Sequence, residues 1–155
     1  MKKFILFLAT GFGVGYSPIM PGTMGTIVAV LLFLFASMNV YIFYSTLLLL
    51  LIISVPLSGA AEKIIGQKDP ASVVIDEIVG YFVAMVGLQI TWGQPFWNYK
   101  YLILGFVIFR IFDIVKPWPI KQLQDLKGGW GIVIDDVVAG IFTRILLQIA
   151  YIFLK

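Results

Sequence analysis

The chain reads as an all-α, polytopic membrane helix bundle of about five membrane helices, preceded by an N-terminal interfacial or re-entrant segment. Its composition is the first reason: of 155 residues, 61% are hydrophobic and 12% charged, against about 25% charged in soluble domains. The mean hydropathy is +1.01. The second is segmentation, with apolar stretches at 27–36, 40–55, 72–90, 101–115 and 131–154. The third is the missing period-2 alternation of barrel strands, which leaves helices as the structures that satisfy the backbone in lipid. The length suits a single integral-membrane domain over 1–155.

Lys2 and Lys3 before a short apolar run imitate a signal peptide, but Gly11, Gly13 and Gly15 break the run without a small-residue cleavage pattern, so the segment is expected to be retained. Ser37, Met38 and Asn39 interrupt the next apolar stretch. One helix from 27 to 55 would be about 43 Å long against a hydrocarbon core of ~30 Å, so a hairpin of two short helices is predicted. That hairpin places the N-terminus, a 56–71 loop and a 116–130 loop on one face, with a 91–100 loop and the C-terminus opposite. Lys2, Lys3, Lys63, Lys68, Lys116, Lys121 and Lys127 then crowd the first face, while Lys100 and Lys155 hold the second. The positive-inside rule makes the crowded face cytoplasmic. Trp92, Trp97, Tyr99 and Tyr101 are expected at the outer interface, Trp118 and Trp130 at the inner one.

There is no cysteine and no histidine, which excludes disulfides, thiolate nucleophiles, imidazole bases and the usual zinc sites. The net charge of +3 is scattered rather than interleaved with aromatics. Nucleic acid is therefore not an expected partner, an anionic membrane surface is, and no obligatory protein partner is evident.

Five of the eight acids, Asp76, Glu77, Asp113, Asp135 and Asp136, fall at predicted cytoplasmic helix ends. Desolvating carboxylates there is expensive unless a cation compensates. Oxygen ligands from separate helices suit Mg²⁺, which characteristically bridges carboxylates to a substrate phosphate. Helix capping would account for either acidic pair alone, since both helices are expected to open with their acids. Asp76, Gly80 and Ala84 stand at spacing four, as do Asp136 and Gly140, so small residues let the two acidic helices pack closely. Arg110 and Asp113 share a helix face and either pair with one another or leave Arg110, with Lys116, to clamp phosphate. Arg144, deeper in the last helix, is expected to reach an acid on another helix. The Gly11–Thr26 segment can offer N–H groups and Thr hydroxyls to an anion, or serve only as an interfacial turn.

Four stretches, Gly15–Thr26, Lys68–Gly80, Phe109–Ile120 and Gly128–Gly140, resemble the phosphatidylglycerophosphatase A family in order and spacing, over nearly the whole chain. The resemblance implies a multi-pass, Mg²⁺-dependent phosphatase of the bacterial inner membrane, with its site on the cytoplasmic side. Its substrate would be phosphatidylglycerophosphate and its product phosphatidylglycerol, a step of phospholipid biosynthesis. It implies Asp76, Glu77, Asp113 and Asp136 as catalytic acids and Asp76, Glu77, Asp135 and Asp136 as Mg²⁺ ligands. Thr23, Thr26, Asp69, Arg110 and Lys116 would contact substrate. Lys68 and Lys127 stand where members often carry histidine, so no proton-transfer role is carried to them.

Other phosphatase chemistries lack their parts: there is no Cys-x5-Arg loop, no histidine and no Asp-x-Asp. The signature of CDP-alcohol phosphotransferases is absent as well. A small membrane transporter using intramembrane acids is the alternative from another class, but it would place its charges near the midplane on paired broken helices.

Overall fold

In the computed structural model, residues 1–88 and 95–153 are described, apart from the side chains of 95–98, and every regular element among them is helical. The elements are α1 (Lys2–Ala9), α2 (Pro21–Ala36), α3 (Val40–Ile65), α4 (Ile75–Ala84), α5 (Pro95–Val115), the short α6 (Ile120–Leu123) and α7 (Gly129–Phe153). A single 3-10 turn, Val14–Tyr16, lies between α1 and α2.

The predicted break at 37–39 is present and has a local cause. Asn39 has an extended backbone and its side-chain oxygen accepts from the N–H groups of Tyr41 (2.8 Å) and Ile42 (3.4 Å), capping α3. Pro21 opens α2 at a position where its missing N–H costs nothing, six residues earlier than the apolar pattern begins.

Four expectations need correction. The predicted 56–71 loop is mostly helix, because α3 continues through Pro56 to Ile65 and stops at Gly66, which takes a left-handed φ of 77°. Among the described residues of the predicted span 72–90 the helix is ten residues long, about 15 Å. It ends in a turn at Gly87, whose φ is 76°. The 91–100 loop is displaced, since α5 already begins at Pro95. Its remainder, with Trp92 and the end of the 72–90 stretch, lies outside the described residues, as do the side chain of Trp97 and Lys155. Finally, among the described residues Arg144 pairs with no acid and donates instead to Gln148 Oε1 on its own helix at 2.8 Å. Among the described residues one helix, α3, is long and apolar enough to cross a membrane, and α2 is a shorter apolar helix. Five spans are thus not established by length and composition. Both α5 and α7 carry charged residues within their length.

The shortness of α4 follows from its position. Nine of its ten residues are buried, Asp76 and Glu77 among them, so protein surrounds it on all sides. α2, α3, α5 and α7 all pack on it, α7 most extensively. The core beside it is aromatic: Phe33, Phe43 and Phe82 meet with ring centroids 5.7–6.2 Å apart. The buried Tyr81 hydroxyl donates to the Leu102 carbonyl at 3.2 Å. A smaller cluster of Ala9, Ala61, Val73, Ile75 and Ile132 ties α1 and α3 to the starts of α4 and α7.

The spacing-four glycines act as the sequence suggests. A Cβ on Gly140 would lie 2.2 Å from the Gly80 carbonyl oxygen, and one on Gly80 would lie 2.6 Å from the Asp136 carbonyl oxygen. The α4 and α7 backbones are therefore in direct contact. Gly140→Ala, which would favour an isolated helix by up to ~1 kcal/mol, should instead destabilise this protein by about 1–3 kcal/mol. Thermal unfolding in detergent would measure it, and an unchanged or higher Tm would contradict the backbone contact.

Candidate active site

At one end of the bundle a cavity of about 360 Å³ is enclosed by the first turn of α2, the 69–73 segment, the start of α4, the end of α5 and the second turn of α7. Asp69, Asp76, Glu77, Arg110, Asp113, Lys116, Asp135 and Asp136 all line it. Residues more than 60 positions apart in sequence are thereby brought together.

Asp76 and Glu77 come from the first turn of α4, whose cap residue Val74 makes no side-chain cap. Asp135 and Asp136 do not open their helix. α7 starts at Gly129 and has no acid in its first turn, so these two lie inside the helix, where capping cannot account for them. Asp76, Glu77 and Asp136 each bring a carboxylate oxygen within 4.8 Å of the other two, at exposures of 7%, 9% and 2%. Asp76 Oδ1, Glu77 Oε2 and Asp136 Oδ2 are buried with no hydrogen-bond partner. Three buried carboxylates this close together, each with an oxygen lacking a hydrogen-bond partner, could hold a metal ion, and oxygen donors of this kind suit a hard cation.

Asp135 stands apart from that set. Its Oδ2 accepts from Lys116 Nζ at 2.6 Å, while Oδ1 has no partner. Lys116 follows α5 with a left-handed φ of 44°, a conformation stored at few non-glycine residues. Burial disfavours the charged form of its amine, but the hydrogen bond and charge of Asp135, with Asp136 and Asp113, outweigh that and push its pKa up to about 12. Lys116 is therefore a fixed cation at neutral pH.

Of the alternatives open at Arg110, the pairing with Asp113 is the one present. Its Nη1 pairs with Asp113 three residues on, and also lies 3.9 Å from Glu77 Oε1 and 3.5 Å from Thr26 Oγ1. The Thr26 hydroxyl donates to the Gly22 carbonyl at 2.9 Å. Thr23 Oγ1 is buried without a partner. Neither threonine lines the cavity; both stand behind the α2 turn that does, at Met20, Pro21 and Gly22. Asp69, with φ 46°, is held from two sides: Gln124 Nε2 donates to its Oδ2 at 2.8 Å, and its own N–H donates to Glu62 Oε1 at 3.3 Å.

Sequence reasoning missed Gly22 and Gln124. A Cβ on Gly22 would lie 2.2 Å from Glu77 Oε1 and 3.1 Å from the Arg110 guanidinium, so glycine is what admits both groups to the α2 terminus. Its signal was the Pro-Gly-Thr run. Gln124 carried none, because an amide in a polar loop is unremarkable until its partner is known.

Among known proteins, the family described as Phosphatidylglycerophosphatase A matches residues 7–151. An Escherichia coli phosphatidylglycerophosphatase A is 39% identical over 88% of this chain and 77% of its own. A Haemophilus influenzae phosphatidylglycerophosphatase A is 34% identical over 92% of this chain and 86% of its own. A Bacteroides thetaiotaomicron protein, provisionally named a phosphatidylinositol-3-phosphatase, is 35% identical over 94% of this chain and 92% of its own. No solved structure matches significantly.

The Lys116–Asp135 pair gives a stability test. Lys116→Met would leave a carboxylate that is 2% exposed without its cation, which should cost about 3 kcal/mol. Adding Asp135→Asn should recover part of that loss in thermal unfolding. A double variant no more stable than the single one would mean the pair is not the source.

Proposed function

The chain belongs to the phosphatidylglycerophosphatase A family, and we propose that it hydrolyses the terminal phosphate monoester of phosphatidylglycerophosphate with the help of Mg²⁺, at the cytoplasmic face of a bacterial inner membrane that its helices cross several times. The observation that carries the reading is the charge inventory of the cavity. Six carboxylates line it against two cations, Arg110 and Lys116, so a phosphate dianion could enter only with added positive charge.

Asp76, Glu77 and Asp136 are the residues that would hold that charge, with Asp135 as the neighbouring carboxylate of the same helix turn. Mg²⁺ held by these residues would supply charge that offsets the phosphate oxygens and would activate water at neutral pH. The remaining work belongs to the chain. Arg110 and Lys116 face the charge that builds on the transferring group. Asp113 and Asp135 hold those two cations in place, and Gln124 and Glu62 hold Asp69 at the rim. The N-terminus of α2, at Met20, Pro21 and Gly22, lines the same cavity, and the positive end of its dipole favours an anion there.

Phosphate release by the purified protein tests the reading directly. Activity should vanish on exhaustive chelation and return with Mg²⁺; undiminished turnover without metal would refute the metal role. Phosphatidylglycerophosphate should be preferred over phosphatidylinositol-3-phosphate in the same assay. Ion flux in liposomes without any phosphatase activity would favour a transporter instead.

Asp76→Asn and Asp136→Asn keep shape and remove charge. Each should lower turnover at least roughly a hundredfold, about 3 kcal/mol, while the protein still inserts and purifies. Near wild-type rates in both would end the metal-site reading.

Single cysteines placed at Met20, Pro70 and Asp125 should all be labelled from the cytoplasmic side, and one at Phe96 from outside. Opposite labelling of the first two would separate the α2 turn from the acids and overturn the topology.

A further inference from the structure

Two apolar stripes converge on the mouth of the cavity. Along α2, Met20, Met24, Ile27 and Leu31 recur at intervals of three or four residues, and all are exposed. Along α5, read back from its end, Ile114, Ile111, Val107 and Ile103 do the same. Met20 and Ile114, the first members, line the cavity itself while remaining 57% and 62% exposed. They are apolar residues on the rim of an otherwise charged site. Thr26 and Arg110 make a polar contact between the two helices, so the seam that separates the stripes begins at a guanidinium that lines the cavity.

Each stripe spans eleven residue steps, about 16 Å along a helix, close to the ~15 Å of one leaflet of a 30 Å hydrocarbon core. An apolar face that starts at a phosphate site and runs one leaflet deep matches one occupant, a lipid whose headgroup carries the phosphate. Resting on the phosphatase reading above, we infer that the α2 and α5 stripes hold the acyl chains of the substrate, with Met20 and Ile114 forming a lateral portal through which headgroup and chains remain connected. The substrate then reaches the carboxylates from within the leaflet, without leaving it. For substrates presented as monomers in water, chain length adds to headgroup recognition, because each methylene laid along the stripes is removed from water.

The test compares three phosphate monoesters with one headgroup, each used as a monomer with Mg²⁺: the deacylated headgroup, its dihexanoyl form and its dioctanoyl form. For the wild-type protein kcat/KM should rise at least tenfold from the first to the third. Met20→Ser/Ile114→Ser should lose most of that gain. If this variant has also lost turnover of the deacylated headgroup, Met24→Ser/Ile111→Ser, farther from the chemistry, decides by the same ratio. A gain retained in the variant, or no gain in the wild type, overturns the portal while leaving the phosphatase reading intact. Failure of the wild type to release phosphate from any of the three, or from long-chain phosphatidylglycerophosphate in vesicles, removes that reading and the portal with it.

Discussion

The contact of two helix backbones at Gly80 and Gly140 holds the rest of the architecture in register. With no side chain between them, the α4 and α7 backbones touch, and Asp76 and Asp136, each four residues before one of these glycines, are carried to the same point. The ring of Phe109 fills the remaining space, 2.7 Å from where a Gly80 Cβ would lie. Arg110 follows Phe109 directly, so one crossing positions the acids of two helices and the guanidinium of a third.

That closeness brings carboxylates together out of water, an unfavourable arrangement on its own. The structure divides the acids to meet it. Asp113 and Asp135 are spent on Arg110 and Lys116, neutralising them and fixing their direction. Asp76, Glu77 and Asp136 keep unpartnered oxygens. The first group makes the site's cations rigid; the second could take up one more.

Because α4 is wrapped by α2, α3, α5 and α7, protein covers most of its surface, and its acids stand in its first turn, at one end of it. The left-handed backbones of Met20, Asp69 and Lys116, all at the cavity, belong to the three segments that close it around the α4 terminus. Strain held at those positions is consistent with a site whose geometry is imposed by the surrounding helices.

The sequence by itself determined the helical class, the break at Asn39, the small-residue faces of α4 and α7, and the residue types of the site. Each of these rests on local chemistry: a cap, a period, a charge set against an apolar background. Tertiary structure alone decided that the 72–90 stretch holds a short buried helix, since an apolar run has the same composition whether lipid or protein covers it. It also decided that Asp135 belongs with Lys116 and Asp69 with Gln124, that Arg144 turns to Gln148, and that Gly22 makes room for Glu77 and Arg110. These are pairings across 4 to 88 positions of chain. Only for the shortest, Arg144 with Gln148, does sequence spacing even suggest a neighbour; the others exist because packing of whole helices brings those atoms to one place.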